Sequence, residues 1–171
     1  MDLKRLIRAV PDFPVPGVLF RDITPLLANP DAFRAVIDWL SERAGERGPD
    51  VIVGIESRGF LFGTPLAERM ELPFVPVRKI GKLPAAHVTV EYVLEYGSSQ
   101  LQIHEDSMPR GARAFVVDDL LATGGTALAS AKLVELIGGV VAGLGFVIEL
   151  EGLGGRAVLA DYSVESLLDY K

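Results

Sequence analysis

Asp118 and Asp119 stand side by side, directly after the apolar run Ala114-Phe115-Val116-Val117 and directly before Leu120-Leu121-Ala122-Thr123-Gly124-Gly125-Thr126. Paired carboxylates beside a glycine-bearing turn have a chemical use. The turn offers backbone N–H groups, and Gly124 and Gly125 let the chain approach a ligand closely. Thr126 and Ala127 open an apolar helix predicted to end near Ile137, so a phosphate in the turn lies at that helix's positive end. A bare anion site would not carry acids. At about 5 Å and an effective dielectric of about 20, each unit-charge repulsion costs roughly 3 kcal/mol. The vicinal hydroxyls of a ribose suit the pair, because ionised carboxylates only accept hydrogen bonds. A Mg²⁺ ion nearby would offset the remaining repulsion. Asp-Asp alone, or Gly-Gly alone, would mark only a strand end or a helix start; the ordered set points to a sugar phosphate.

A second group of charges lies earlier in the chain. Arg58 follows the apolar run Val51–Ile55 and precedes Gly59, and Arg78, Lys79 and Lys82 follow before Pro84. A turn of this kind also presents N–H groups to an anion. Lys82 is a compact charge on a long stem, suited to a phosphate. Lys79, near a strand end, reads equally well as a solvated charge.

The elements that must carry these residues are written in the hydrophobic periodicity. Leu3, Leu6, Ile7 and Val10 suggest a short N-terminal helix stopped by Pro11. Asn29-Pro30 starts a helix whose apolar face is Phe33, Val36, Ile37, Leu40 and Ala44. A strand at 51–55, a helix at 59–70, a strand at 74–77, a strand at 114–117, a helix at 126–137 and a strand at 140–148 follow. A final short strand lies near 163–168. This alternation predicts an α/β fold with a mainly parallel sheet and helices on both faces. Ligands of such sheets bind beyond the carboxyl ends of the strands, where Glu56–Gly59 and Asp118–Thr126 both fall. Residues 88–104 break the pattern. Val90, Tyr92 and Leu94, then Leu101 and Ile103, alternate with polar residues around a turn at Gly97-Ser98-Ser99, giving an antiparallel hairpin. It is either an ordinary edge hairpin or a mobile lid.

Composition narrows the class. The 171 residues, 49% of them hydrophobic, suffice for one well-buried domain. A net charge of −6 argues against a general nucleic-acid binder. There are no cysteines and only two histidines, which excludes disulfides and disfavours zinc. With no apolar run near 18 residues and no secretory leader, a cytoplasmic protein is expected. The chain lacks the Gly-x-x-x-x-Gly-Lys-Ser/Thr loop of nucleotide hydrolases.

The stretch Val116–Thr126 resembles the phosphoribosyl-diphosphate (PRPP) binding motif of the type I phosphoribosyltransferase family. Further blocks match the family's adenine-using branch in order and spacing. They are Phe13–Ile23, Glu56–Gly63, Val77–Pro84 and Leu94-Glu95-Tyr96-Gly97. The resemblance implies transfer of the phosphoribosyl group from PRPP to adenine with Mg²⁺, by a homodimer. It implies one domain over 1–171, with an N-terminal helix and base-binding hood at 1–28 and a flexible lid hairpin at 79–106. Glu95, Arg58 and Lys82 would be catalytic, with Glu95 the general acid at N7 of adenine. PRPP and AMP would be held by Asp118, Asp119, Ala122, Thr123, Gly124, Gly125, Thr126, Ser57 and Tyr96. The two aspartates would hold the metal, through water or the PRPP ribose. Leu19, Phe20, Arg21 and Leu150 would receive adenine. Two rivals are a PRPP-sensing regulator, which needs a DNA-binding module this chain has no residues for, and an enzyme using a 6-oxopurine or orotate. The stretch Ala85-Ala86-His87-Val88-Thr89 is the least typical of the family.

Overall fold

Runs of β-branched residues and glycine-marked turns set the element order. The computed structural model describes residues 2–93 and 98–171. Its elements are β1 (Arg8–Pro11), β2 (Leu19–Asp22), α1 (Thr24–Leu27), α2 (Pro30–Gly45), β3 (Val51–Ile55), α3 (Gly59–Met70), β4 (Phe74–Lys79), β5 (His87–Val93), β6 (Ser98–His104), β7 (Arg113–Leu121), α4 (Gly125–Leu136), β8 (Val140–Leu150), α5 (Gly155–Val158) and β9 (Val164–Tyr170). The chain divides into two compact units, residues 1–39 and 40–171. No helix among the described residues is long and apolar enough to cross a membrane.

In the first unit, β1 and β2 pair antiparallel, with Val10 opposite Phe20 and Ala9 opposite Arg21. The expected N-terminal helix is corrected here: one 3₁₀ turn, Leu3–Leu6, gives way to strand β1. A single turn repays little of the cost of nucleating a helix, whereas β1 gains a ladder with β2. Phe13 and Phe20 stack edge to face at 5.1 Å between ring centres. At the start of α2 the Asn29 side chain accepts from the Ala32 N–H at 3.0 Å, the expected cap.

The second unit is built on a seven-stranded sheet in the order β5-β6-β4-β3-β7-β8-β9. From β4 to β9 the strands run parallel; β6 lies antiparallel to both β4 and β5. Strands β3 and β7 at its middle are covered on both faces, hence their uninterrupted apolar runs. One face carries Val51, Val53, Ile55, Val116, Leu144 and Phe146, packed with Ala127, Leu133 and Val134 of α4. Alternate residues, among them Ile52 and Phe115, face the opposite way, where Phe62 and Leu66 of α3 are fully buried.

Several expected boundaries move: β4, β8 and β9 run two residues further, to Lys79, Leu150 and Tyr170, and two larger changes fall at the site. Strand β7 was expected to end at Val117 but continues through Asp118 and Asp119 to Leu121. The long β8 supplies the reason, since it offers ladder partners that far: Asp118 opposite Phe146, Leu120 opposite Ile148 and Leu121 opposite Glu149. The acids therefore sit within the strand rather than past its end. In the hairpin, Ser98 and Ser99 belong to β6 and pair with Val93 and Tyr92, so they are strand rather than turn. Cross-strand register, not the polar character of serine, decides this.

Candidate active site

Beyond the carboxyl ends of β3, β4 and β7 lies a crevice with two connected lobes. One, of about 200 Å³, is lined by Arg58, Asp118, Asp119, Ala122, Thr123, Gly124, Thr126 and their neighbours. The other, of about 310 Å³, adds Glu56, Ser57, Lys79, Tyr92 and Ser99 to Arg58, the two aspartates and Thr126. Topology explains the meeting: adjacent parallel strands end at the same edge of a sheet.

Asp119 is buried, and its Oδ2 accepts a hydrogen bond from Arg58 Nε. Asp118 turns the other way, and its Oδ1 accepts the Asp119 N–H at 2.9 Å. Burial pushes the Asp118 carboxyl well above the usual carboxylate range, and the Asp119 charge adds to the rise. For Arg58 burial acts against the charge, but Asp119, helped by Asp118, outweighs it and raises the guanidinium pKa. A fixed cation thus answers part of the repulsion between the acids, a role that sequence reasoning had given to ligands alone. The turn holding Arg58 lies tight against the acids. A Cβ on Gly59 would come within 2.6 Å of the Val117 carbonyl oxygen and 3.1 Å of Asp118 Oδ1.

The phosphate loop is built from Ala122 to Thr126. Gly124 has φ +85° and caps α4 without any side-chain bond to the first-turn N–H groups. Those amides point from the positive end of a three-turn helix toward the smaller lobe, an anion site by geometry. Behind the loop, Gly155 of α5 fits so closely that a Cβ there would lie 2.3 Å from the Ala122 carbonyl oxygen. Arg156 holds α5 in place by donating from Nε to Glu149 Oε1 at 3.0 Å, and Ser166 Oγ donates to Glu149 Oε2 at 2.8 Å.

A cation array faces the acids. Glu56 accepts from Arg78 Nε at 3.2 Å and from the Lys79 N–H at 3.0 Å. Desolvation alone would raise the Glu56 pKa, but these bonds and the charges of Arg78 and Lys82 lower it. Lys79 lines the larger lobe. Lys82 is exposed and is not among the lining residues, although its charge acts on Glu56. Lys79, which the sequence leaves open as a solvated charge, lines this lobe together with Glu56, Tyr92 and Ser99, none of them given a site role by the sequence. The signal for Lys79 was available, since it ends a parallel strand beside the strand that leads into the turn holding Arg58.

The hairpin comes over the phosphate loop. A Cβ on Gly125 would meet the Val93 carbonyl oxygen at 3.3 Å and Tyr92 Cδ2 at 3.5 Å. Glu95 and Tyr96 lie outside the described residues. Leu150 ends β8 half-buried, next to the 3₁₀ turn Glu151–Leu153, and lines neither lobe. Leu19, Phe20 and Arg21 lie together on β2 of the first unit, with Leu19 exposed and the other two half-buried.

Among the described residues no three His, Cys, Asp or Glu side chains converge to cage a metal. The acid pair still suits Mg²⁺. That ion keeps its waters and is commonly held by one or two carboxylates plus substrate oxygens. A carboxyl whose burial and neighbour oppose its ionisation is where such a charge would bring relief.

The model of the phosphoribosyl transferase domain matches residues 22–155. The chain is 58% identical to the adenine phosphoribosyltransferase of Acaryochloris marina over 99% of its own length and all of that protein. It is 62% identical to the one from Gloeobacter violaceus over 94% of each. Among solved structures, adenine phosphoribosyltransferase from Thermoanaerobacter pseudethanolicus superposes with a TM-score of 0.96 at 50% identity, covering 99% of this chain and 98% of that one. The Saccharomyces cerevisiae enzyme, complexed with adenine and an imino-altritol bisphosphate, superposes with a TM-score of 0.92 at 43% identity and coverages of 98% and 97%.

Proposed function

The chain belongs to the adenine phosphoribosyltransferase family, and from that premise we infer that it transfers the 5-phosphoribosyl group of PRPP to adenine, giving AMP and pyrophosphate in purine salvage. One observation carries the reading beyond resemblance. The paired carboxylates of β7, the uncapped start of α4 and the cations Arg58 and Lys79 line a single crevice. A ribose with a phosphate on one side and a diphosphate on the other presents this order of chemistry: anion, hydroxyls, anion.

The proposed roles follow from that order. The amides of Ala122, Thr123, Gly124, Gly125 and Thr126 hold the 5′-phosphate, with the threonine hydroxyls assisting. Asp118 and Asp119 accept hydrogen bonds from the ribose hydroxyls. Ser57, Arg58 and Lys82, joined by Lys79, receive the pyrophosphate as its bond to C1 breaks and the bond from adenine N9 to C1 forms. Positive charge develops on the ribose as the leaving group departs. The acids stabilise that charge, and the anchored phosphates fix the geometry of attack. Asp118 and Asp119 would hold Mg²⁺, directly or through water, and the ion would supply charge that offsets that of the leaving pyrophosphate. Leu19 and Phe20 with Leu150 border the base, and the Arg21 backbone reads its edge. Glu95, with Tyr96 beside it, is the acid–base group at N7: it takes the N7 proton of adenine as N9 bonds to C1, and as general acid it returns that proton in the reverse direction. Residues 1–28 serve as hood and 79–106 as lid within one working domain over 1–171. The close approach of Tyr92 and Val93 of β5 to Gly125 supports the lid.

We further propose a homodimer, which the exposed apolar side chains of Leu61 and Ile80 support, and which sedimentation checks. A cytoplasmic setting follows from the substrate, since PRPP is a polyanion that does not cross a bilayer unaided.

The deciding experiment is turnover of PRPP with adenine, hypoxanthine, guanine and orotate, with and without Mg²⁺. AMP formation from adenine alone, dependent on Mg²⁺, is expected; turnover of a 6-oxopurine or of orotate in its place overturns the base assignment. Glu95→Gln is expected to cut kcat by about 100-fold or more with PRPP binding little changed. An unchanged kcat leaves Glu95 without this task.

A further inference from the structure

Gln102 is one of few buried polar side chains in the described structure, only 5% exposed, and it stands on β6. In register it lies opposite Arg78 of β4 on one side and Thr89 of β5 on the other. Its carboxamide is committed at both ends. Oε1 accepts the Gly81 N–H at 3.0 Å, and Nε2 donates to Thr89 Oγ1 at 3.1 Å. Gly81 has φ +78° and sits in the exposed connection between β4 and β5. Two residues earlier, Glu56 accepts the Lys79 N–H. The backbone bearing Lys79 and Lys82 is therefore gripped at 79 from β3 and at 81 from β6.

An apolar side chain could fill the space that Gln102 occupies. A buried carboxamide is tolerated only with its bonds made, so its presence here ties geometry rather than adding bulk. One of its bonds goes to the segment between the two lysines and the other to the outer hairpin strand.

We propose that Gln102 is a positioning residue of the transfer reaction, holding the Lys79–Lys82 segment in the orientation that receives the diphosphate and linking that segment to the register of the hairpin. It touches no reacting atom. The inference rests on the functional reading above and adds to it a specific route by which the hairpin acts on the leaving-group site.

The test compares Gln102→Leu, Gln102→Glu and the unaltered chain in one set of kinetic assays. Gln102→Leu is expected to raise the KM for PRPP about tenfold, the scale of one lost hydrogen bond of consequence. The KM for pyrophosphate in the reverse direction should rise in parallel, with kcat and the KM for adenine within about twofold of the original. Gln102→Glu keeps an acceptor for the Gly81 N–H and accepts from the Thr89 hydroxyl, so it should restore the KM for PRPP to within about twofold. A merely structural role would lower Tm in both variants and leave KM alone, and that result overturns the inference. Should Gln102→Leu fail to fold, Thr89→Val removes the other end of the link from an exposed position. It should raise the KM for PRPP about two- to threefold, and an unchanged value overturns the inference equally. An unaltered chain that makes no AMP removes the functional reading and this inference together. An active chain whose variants keep their KM removes the inference alone.

Discussion

The crevice has two walls of different build. The wall made by β7, the phosphate loop and α5 is packed backbone against backbone. Added Cβ atoms at Gly59 and Gly155 would meet main-chain oxygens at 2.6 and 2.3 Å. The wall made by the β4–β5 connection and the hairpin is held at an edge of the sheet, and Val93 at the end of β5 is 80% exposed. Strand β6 ladders onto β4 and buries Leu101 and Ile103, and Glu56 holds the Lys79 N–H, but β5 has no strand beyond it. The first wall has no room for an added methyl group at these glycines, whereas the second ends at an open sheet edge. A transferase of this kind needs both: a rigid anchor for the ribose phosphate, and a cover that admits two substrates and then excludes water.

The largest effect should come from the rigid wall. Asp119→Asn removes the charge that faces Arg58 in a nearly dry position, and turns one of the two acceptor oxygens proposed for Arg58 and the ribose into a donor. Hydrogen bonds to charged groups contribute roughly 1.5–3 kcal/mol, so kcat/KM for PRPP should fall about 100-fold. Ser99→Ala, on the hairpin side of the larger lobe, should change it less than about threefold. Steady-state kinetics of the two variants decide the matter; equal losses would erase the difference between the walls.

How much of this was legible beforehand follows the same division. The rigid wall is encoded in contiguous residues. Strand, acids, glycines and helix start follow one another from Ala114 to Ala127, so local chemistry sufficed to read it. What escaped was the reach of β7 through the acids, because its ladder partners Phe146–Glu149 lie nearly thirty residues away. The hairpin was legible as a local pairing, but its place in the wall depends on two distant ones, β6 with β4 and β4 with β3. Tyr92, Ser99 and Gln102 could not be assigned to the site until those were known. The N-terminal 3₁₀ turn misled for a related reason, since one turn of apolar spacing fits a helix and a strand start equally.

Gly59→Ala should be the next largest change. The new methyl would face the Val117 carbonyl and Asp118, neither of which can swing aside without moving the centre of the sheet. Overpacking of this kind costs about 2–3 kcal/mol, read as a lower urea midpoint at unchanged slope.

A smaller effect is expected at the support behind the phosphate loop. Glu149 is 4% exposed, and Arg156, together with Ser166, holds its carboxyl below the usual range despite its burial. Because the folded pKa is depressed, the stabilisation is fully present above the unfolded value of about 4.3. It is lost as pH falls through the folded pKa. Glu149→Gln should cost about 1–2 kcal/mol at neutral pH. The gap to the original chain should close in acid, as unfolding curves at pH 7 and pH 3 would reveal. A gap that stays constant with pH would mean that the Glu149 charge does not support α5.

The smallest expected effect repeats the Gly59 experiment across the crevice. In Gly125→Ala the new Cβ meets the Val93 carbonyl oxygen at 3.3 Å and Tyr92 Cδ2 at 3.5 Å. The first distance is tight enough that something must move by a few tenths of an ångström. Here the neighbour is the exposed end of an edge strand, and it can move. Alanine also favours the first turn of α4 by up to about 1 kcal/mol over glycine, which offsets the contact. Stability should therefore stay within about 0.5 kcal/mol of the original, against about 2–3 kcal/mol lost at Gly59. The same methyl group thus measures the stiffness of each wall. A loss above about 1.5 kcal/mol at Gly125 would show a hairpin as firmly seated as the middle of the sheet, and a lid that must open could not be built from it.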